Sequence, residues 1–321
     1  MTHIEKLRQL LFSDDLETIK QGISLMDSLC DTIEEIYVVL EKPIPDSKQT
    51  WQQQFVYDNK KPNPQYLNLW ILGRMSEEGI SWTLELKELI LYVNPPENMQ
   101  HLQRIKEINI LGDTVELSVL NSFLNMTKLY IECNMNLNNI VLADYSFSQK
   151  LESLSIYGNY HLQRIDVQNC PSLRMLGIME CYDLQQIVGL SDLTDLQHLS
   201  LTYVELSSFD FSSLLTLRNL QHLCIFNCTD FNNLDVLKNM KQLEYLDLDG
   251  TMVQDLSPIS ELPKLKKLNI IGCYEIHDLS PLHKHPSLEL LIVFEDGLMQ
   301  HIPQEFANLQ QARPDIIIEE E

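Results

Sequence analysis

The chain has 321 residues, enough for one large domain or two ordinary ones. Its 44% hydrophobic and 21% charged residues exclude a disordered chain, and 10 Gly with 13 Pro exclude a collagen-like or linker-dominated one. Asp and Glu number 46 against 23 Lys and Arg, a net charge of −23 that argues against sequence-independent nucleic-acid binding and against docking on anionic lipid. A basic protein or peptide is the better match for a partner.

The start, MTHIEKLRQLLF, has no basic segment ahead of a long apolar core, so no secretory signal is expected there. No run of about 18 apolar residues predicts a membrane span. The 7 cysteines include no CxxC pair and sit in apolar runs, which predicts buried, reduced thiols and a cytoplasmic location. Thr2 and Glu5 form a capping box ahead of Ile4, Leu7, Leu10 and Leu11 at helical spacing. Asp14 and Asp15 are set to cap a second helix carrying Leu16, Ile19, Ile23 and Met26. Asp31 is set to start a third, through Ile33, Ile36 and Val39, ending before Pro43.

Over 43–85, Pro43, Pro45, Pro62 and Pro64 are expected to break any long element. All three tryptophans, Trp51, Trp70 and Trp82, lie here and are expected to seal the first repeat of the array that begins at Leu86. Residues 1–85 thus read as a helical, Trp-rich cap region. If the chain were an enzyme, a hydrolase or transferase site would fall in this segment.

From Leu86 onward one pattern recurs: apolar, two residues, apolar, one residue, apolar, two residues, then a small or polar residue. Clear copies are LESLSIYGN from Leu151, LQHLCIFNC from Leu220, LEYLDLDGT from Leu243 and LKKLNIIGC from Leu265. Variant copies begin at Leu86, Ile105, Met126, Leu173, Leu196 and Leu288. The apolar-x-apolar step puts two side chains on one face of a short strand, and such a strand cannot bury that face alone. Stacked coils pair these strands in parallel around a continuous Leu/Ile core. The ninth position is expected to turn the chain; it is Asn94, Asn159, Cys181, Val204, Cys228, Thr251 and Cys273, with Asp113, Asn134 and Asp296 in other copies. Near the end, Asp315 to Ile318 reads as a last strand, and Glu319, Glu320 and Glu321 as charges that discourage further edge pairing.

This repeat resembles that of leucine-rich repeat proteins over 86–321. The stretches Val253-Gln254-Asp255-Leu256-Ser257-Pro258-Ile259 and Ile276-His277-Asp278-Leu279-Ser280-Pro281-Leu282 resemble the short 22-residue-type repeats of internalin-like bacterial proteins, in which the Ser-Pro step opens a 3₁₀ turn on the convex side. Earlier copies lack that step, so their convex side is expected to be irregular. The resemblance implies an α/β solenoid, a curved horseshoe with a parallel concave sheet and a helical N-terminal cap.

No Gly-rich phosphate loop, HExxH or GxSxG occurs, and no catalytic, cofactor or metal residue is assigned. His283 and His285 in LHKHP read as a solvated loop. The register assigns the outward, concave positions instead. They include Tyr157, Met175, Met179, His198 and Thr202 in the middle copies. His222, Phe226, Tyr245, Asp247 and Asp249 come next, with Lys267 beyond them. Met and aromatic side chains on an outward face suit a binding surface, and the two Asp suit an Arg or Lys of a partner. The sequence therefore points to a non-catalytic scaffold that binds a protein or peptide with a basic patch. A narrower alternative is an acidic immunity or inhibitor protein masking a basic toxin or nuclease.

Overall fold

The computed structural model describes residues 3–40, 42, 44–45, 63–81, 83, 86–91, 94–96, 99, 102, 104–111, 115–132, 137–205, 209–293 and 301–320. The chain divides into two compact units, Met1–Asn134 and Met135–Glu321.

The first unit opens with three helices, α1 (His3–Leu11), α2 (Leu16–Leu29) and α3 (Ile33–Leu40). Leu7 and Leu11 of α1 and Ile19, Ile23 and Met26 of α2 are buried, the one-sided spacing that the sequence shows. Asp15 caps α2: its carboxylate accepts the Thr18 N–H at 2.8 Å and the Thr18 hydroxyl at 2.6 Å. These bonds hold its pKa below the ordinary carboxylate value. The start of α3 falls one residue later than expected. Thr32 and Glu35 form a reciprocal capping box, Thr32 Oγ1 accepting the Glu35 N–H and Glu35 Oε2 accepting the N–H groups of Asp31 and Thr32. The Thr2 half of the box expected on α1 lies outside the described residues.

The expectation that prolines break the 43–85 segment fails at its end. Helix α4 (Asn63–Glu77) runs for 15 residues with Pro64 in its first turn, where an amide has no helical acceptor and proline is tolerated. Its Trp70 is buried; Trp51 and Trp82 lie outside the described residues. Strands β1 (Glu88–Leu91), β2 (Glu107–Ile110) and β3 (Lys128–Glu132) pair in parallel. The Gln65 side chain of α4 donates to the Ile90 carbonyl of β1 at 2.9 Å, so the helix satisfies a group on the strand that opens the stack. Asn94 Oδ1 accepts the Glu116 N–H of the next coil at 2.7 Å.

The second unit contains β4 (Asn139–Val141), β5 (Ser153–Tyr157), β6 (Arg164–Asp166), β7 (Met175–Met179), β8 (Gln186–Val188), β9 (His198–Thr202) and β10 (His222–Phe226). It continues through β11 (Tyr245–Asp247), β12 (Lys267–Asn269), β13 (Leu290–Val293), α5 (Pro303–Ala312) and β14 (Ile317–Glu320). In both units, each of the ten repeat copies yields a strand that begins two residues after its first apolar residue. From β5 the parallel order is β5-β7-β9-β10-β11-β12-β13-β14. The inward pairs Leu154 with Ile156, Leu223 with Ile225 and Leu246 with Leu248 are at most 1% exposed. Each such side chain contributes about 1.5–3 kcal/mol by leaving water.

The side opposite this sheet is more regular than expected. Short 3₁₀ turns recur at Ser146–Lys150, Leu190–Asp192, Phe211–Thr216, Leu234–Leu237, Ser257–Glu261 and Ser280–Leu282, and β4, β6 and β8 form a second parallel sheet. Four of these turns share an Asx cap, and two of the four combine it with the Ser-Pro step. Asp210, Asn233, Asp255 and Asp278 each accept the N–H two residues on, at 2.8–3.0 Å.

The turn out of each strand also differs from expectation. In the coils of β5, β7, β9, β10, β11 and β12 it is made one residue earlier than the ninth position, by backbone with positive φ at Gly158, Glu180, Tyr203, Asn227, Gly250 and Gly272, while Asp113, Asn134 and Asp296 lie outside the described residues. The ninth residues Asn159, Cys181, Val204, Cys228, Thr251 and Cys273 are buried beneath it. Cys and Thr serve there as donors to main-chain carbonyls: Cys273 Sγ donates to Leu248 O at 2.9 Å and Thr251 Oγ1 to the same oxygen at 2.6 Å. Burial raises the thiol pKa of Cys181 to about 12 and of Cys273 to about 11.

At the C-terminal end, α5 was not legible as a helix, and the last strand begins at Ile317 rather than Asp315. Glu319 and Glu320 are members of that strand rather than followers, and Glu321 lies outside the described residues. Arg313 ties the end down. Its guanidinium donates to Leu288 O at 3.0 Å and to His285 O, and pairs with Asp315 at 2.7 Å.

His285 corrects the reading of LHKHP as a solvated loop, because it is only 2% exposed. Its Nδ1 accepts the Leu288 N–H at 3.1 Å, so Nε2 carries the proton and donates to Ile259 O at 3.2 Å. Burial holds its pKa below the ordinary 6.5, and the nearby Arg313 charge adds to this. The unfolded chain then binds a proton that the folded chain does not. Stability should therefore rise with pH from the lowered folded value up to about 6.5, and be fully present above that. Thermal melts of the parent and of His285→Gln across this range test it. The parent's extra loss of stability on acidification should be absent in the variant.

Candidate functional site

Parallel pairing converts the outward positions of the second unit into three columns. The strand-entry column runs Met175, His198, His222, Tyr245, Lys267, Leu290 and Ile317. The middle column runs Ser155, Gly177, Ser200, Cys224, Asp247, Asn269 and Ile292. The strand-exit column runs Tyr157, Met179, Thr202 and Phe226, with Asp249 just past the end of β11.

The residues expected to form the surface do not all present themselves alike. Met175 and Met179 are 43% and 40% exposed. The His198 and His222 rings stack at 4.5 Å, and the Tyr245 ring lies beyond His222 at 6.0 Å. Desolvation first, and His222 second, hold the His198 pKa below its ordinary value. Phe226 and Tyr157 are half-buried.

Thr202 and Asp247 depart from the expectation of outward presentation. Thr202 is 7% exposed, with its hydroxyl 3.2 Å from that of Ser200. Asp247 is 8% exposed, and its carboxylate already accepts the Tyr245 hydroxyl at 3.0 Å and the Asp249 N–H at 3.1 Å. The bond to Asp249 fixes the exit of β11, as Asn269 Oδ1 does for Ile271 at 3.0 Å in the next coil. A carboxylate two residues before the turn is the sequence signal for this structural role.

A groove of about 440 Å³ opens over the entry column, lined by His222, Glu244, Tyr245, Lys266, Lys267, Leu290, Ile292 and Glu319. Two of these, His222 and Tyr245, were among the expected site residues. Leu290, Ile292 and Glu319 were not, because their place on this face depends on the pairing of β13 and β14. The Lys266 ammonium pairs with Glu244 at 2.8 Å, which raises the lysine pKa and lowers the glutamate's. A larger cavity of about 580 Å³ lies elsewhere in the same unit, among Gln163, Arg164, Gln186, Ser191, Phe209 and Asp210. Its lining is polar and it shares no residue with the expected surface. Of the 43–85 segment, where an enzymatic site was the alternative, the structure describes mainly α4.

The second unit stacks repeat coils in parallel around a Leu/Ile core, and part of it matches a known repeat family. Residues 241–284 match the family model described as Leucine Rich repeats (2 copies). No curated protein matches the chain. Among solved structures, the chain is similar to an internalin (inlF) from Listeria monocytogenes, at 15% identity and a TM-score of 0.46, over 84% of this chain and 89% of that one. It is also similar to internalin C2 (inlC2) from the same organism, at 22% identity and a TM-score of 0.39, over 78% of this chain and 92% of that one. Among the described residues, no helix is long and apolar enough to cross a membrane.

Proposed function

We propose that this chain is a non-catalytic recognition scaffold that binds a protein or peptide with a basic patch on the outward strand face of Met135–Glu321. Residues 1–85 act as the cap region and 86–321 as the repeat array. The observation that carries the reading is the run of exposed and half-buried Met, His and Tyr side chains across adjacent coils, from Met175 to Tyr245. A face with no partner has no use for a contiguous apolar and aromatic strip. The excess of 46 acidic over 23 basic residues favours a basic partner over nucleic acid or an anionic lipid surface. The same excess favours one specific form of the reading, an acidic immunity or inhibitor protein that masks a basic toxin or nuclease. A toxin encoded beside this chain would support it. Thiols engaged in carbonyl hydrogen bonds support a reducing compartment, the cytoplasm.

The test is affinity capture from cells that express the protein, comparing the parent with a Tyr157→Ala, Phe226→Ala, Tyr245→Ala triple variant. The partner recovered by the parent should be lost from the variant, and rising salt should weaken its capture. Equal recovery by both proteins would show that the strand face is not the site.

A further inference from the structure

Because the strands of the second unit are parallel, all of them leave the sheet at the same end. The residues just past each strand therefore gather along one edge. The exit segments 157–161, 179–183, 202–205, 226–230, 249–253 and 271–275 contain 6 carboxylates and no Lys or Arg. Basic residues of the same unit, such as Arg174, Lys264, Lys266 and Lys267, lie at the strand-entry end. At the entry end carboxylates are matched by basic residues, as in the Arg174–Asp195 and Lys266–Glu244 pairs, whereas the exit edge carries carboxylates with no Lys or Arg among them.

Aromatic rings line that same edge. Tyr160 stacks on Tyr182 at 5.5 Å, and Tyr203 meets Phe226 edge-on at 5.2 Å. Tyr182 and Tyr203 remain 43% and 42% exposed. Glu180 stands among them, its Oε1 accepting the Tyr157 hydroxyl at 3.4 Å. Desolvation first, and then the charges of Glu180 and of the neighbouring tyrosines, raise the Tyr182 pKa.

The backbone gives a second, independent indication. Glu180, Tyr203 and Asn227 hold φ at 54°, 51° and 51°, where the equivalent residues of other coils are Gly158, Gly250 and Gly272 at 66°. Glycine adopts this region without strain and other L-residues do not. Three successive coils thus keep a side chain at this turn position, and two of them, Glu180 and Tyr203, border the exposed rings. Strain retained at a surface points to use of the side chains that cause it.

We propose that this strand-exit edge is the docking surface for an arginine-rich segment of a protein partner, with guanidinium groups stacked on Tyr182 and Tyr203 and paired with Glu180. A guanidinium is flat, stacks on tyrosine faces and forks onto a carboxylate, so it uses both features of the edge at once. A lysine ammonium uses them less fully. The inference rests on the recognition reading above and moves its centre from the middle of the sheet to the exit edge.

Fluorescence anisotropy of a short labelled oligoarginine peptide with the full chain tests it, at low and at physiological salt. The parent should bind oligoarginine more tightly than oligolysine. The Tyr182→Ala, Tyr203→Gly double variant should bind at least about tenfold more weakly, although its net charge is unchanged. Glu180→Gly should also weaken binding, with a Tm at or above the parent's because glycine relieves the backbone; this separates lost contact from lost folding. Binding by the tyrosine variant within about twofold of the parent would overturn the proposal, since general attraction to an acidic protein is blind to that change. If His222→Ala, Tyr245→Ala weakens binding and the edge variants do not, the edge is wrong and the recognition reading stands. If the parent binds no oligoarginine at low salt, the basic-partner reading falls with it.

Discussion

Phe231→Ala should destabilise the protein by about 3–5 kcal/mol, the range for removing a fully buried aromatic ring. Phe231 is 1% exposed and lies on the side of the coil opposite the long sheet. It meets Phe211 edge-on at 5.1 Å, and Phe211 meets Phe209 at 5.1 Å in turn. This short aromatic spine joins two successive coils. Coils touch only their neighbours, so a hole there weakens both the coil that holds it and the interface it supports. Urea denaturation followed by circular dichroism measures the loss as a shift in midpoint. A double-mutant cycle with Phe211→Ala should give a coupling of about 0.5–1.5 kcal/mol, the worth of an aromatic pair beyond its buried area. A loss under about 1 kcal/mol for Phe231→Ala would mean that the ring is not held as described.

Gly189→Ala should cost about 2–4 kcal/mol, from backbone strain and overpacking together. Gly189 comes directly after β8 with φ of +81° and opens the 3₁₀ turn Leu190–Asp192. A Cβ there would stand 2.7 Å from both Cα and N of Gln168, main-chain atoms of the preceding coil that cannot rotate away. The natural control is Gly79, whose φ is +74° but whose Cβ would meet nothing within 4 Å. Gly79→Ala should show the strain alone, about 1–2 kcal/mol. Equal losses at the two sites would mean that the coils near Gly189 are not in close contact.

The strand positions and their inward faces were legible in the sequence because each depends only on a local period of two and a recurrence of mostly 22–24 residues. Each copy, from Leu86 to Leu288, carries its own pair of Leu or Ile, with Val293 as the second member in the last, and each became a strand. The N-terminal helices were legible for the same reason, through spacing and caps within one turn. Helix α4 was not, because Pro64 reads as a breaker until it is seen to occupy a first turn. His285 read as loop because its neighbours are polar, and only the packing of Ile259 and Leu288 around its ring makes it interior.

The candidate surface divides along the same line. The outward placement of Met175, Met179, His198, His222 and Tyr245 came from alternation, and their pairing bears out the register. Thr202 and Asp247 obey the alternation too, yet neighbouring groups cover them, which no one-coil pattern reveals. By itself the sequence determined which residues form the repeat strands of the long sheet and which of their side chains face inward, because those are set by neighbours in the chain; β4, β6 and β8 were not legible. Tertiary structure alone decided which turn residue takes positive φ, and which tyrosines and carboxylates of separate coils share one edge. Those outcomes come from contacts between coils more than 20 residues apart, and the stacking that creates them leaves no local period to read.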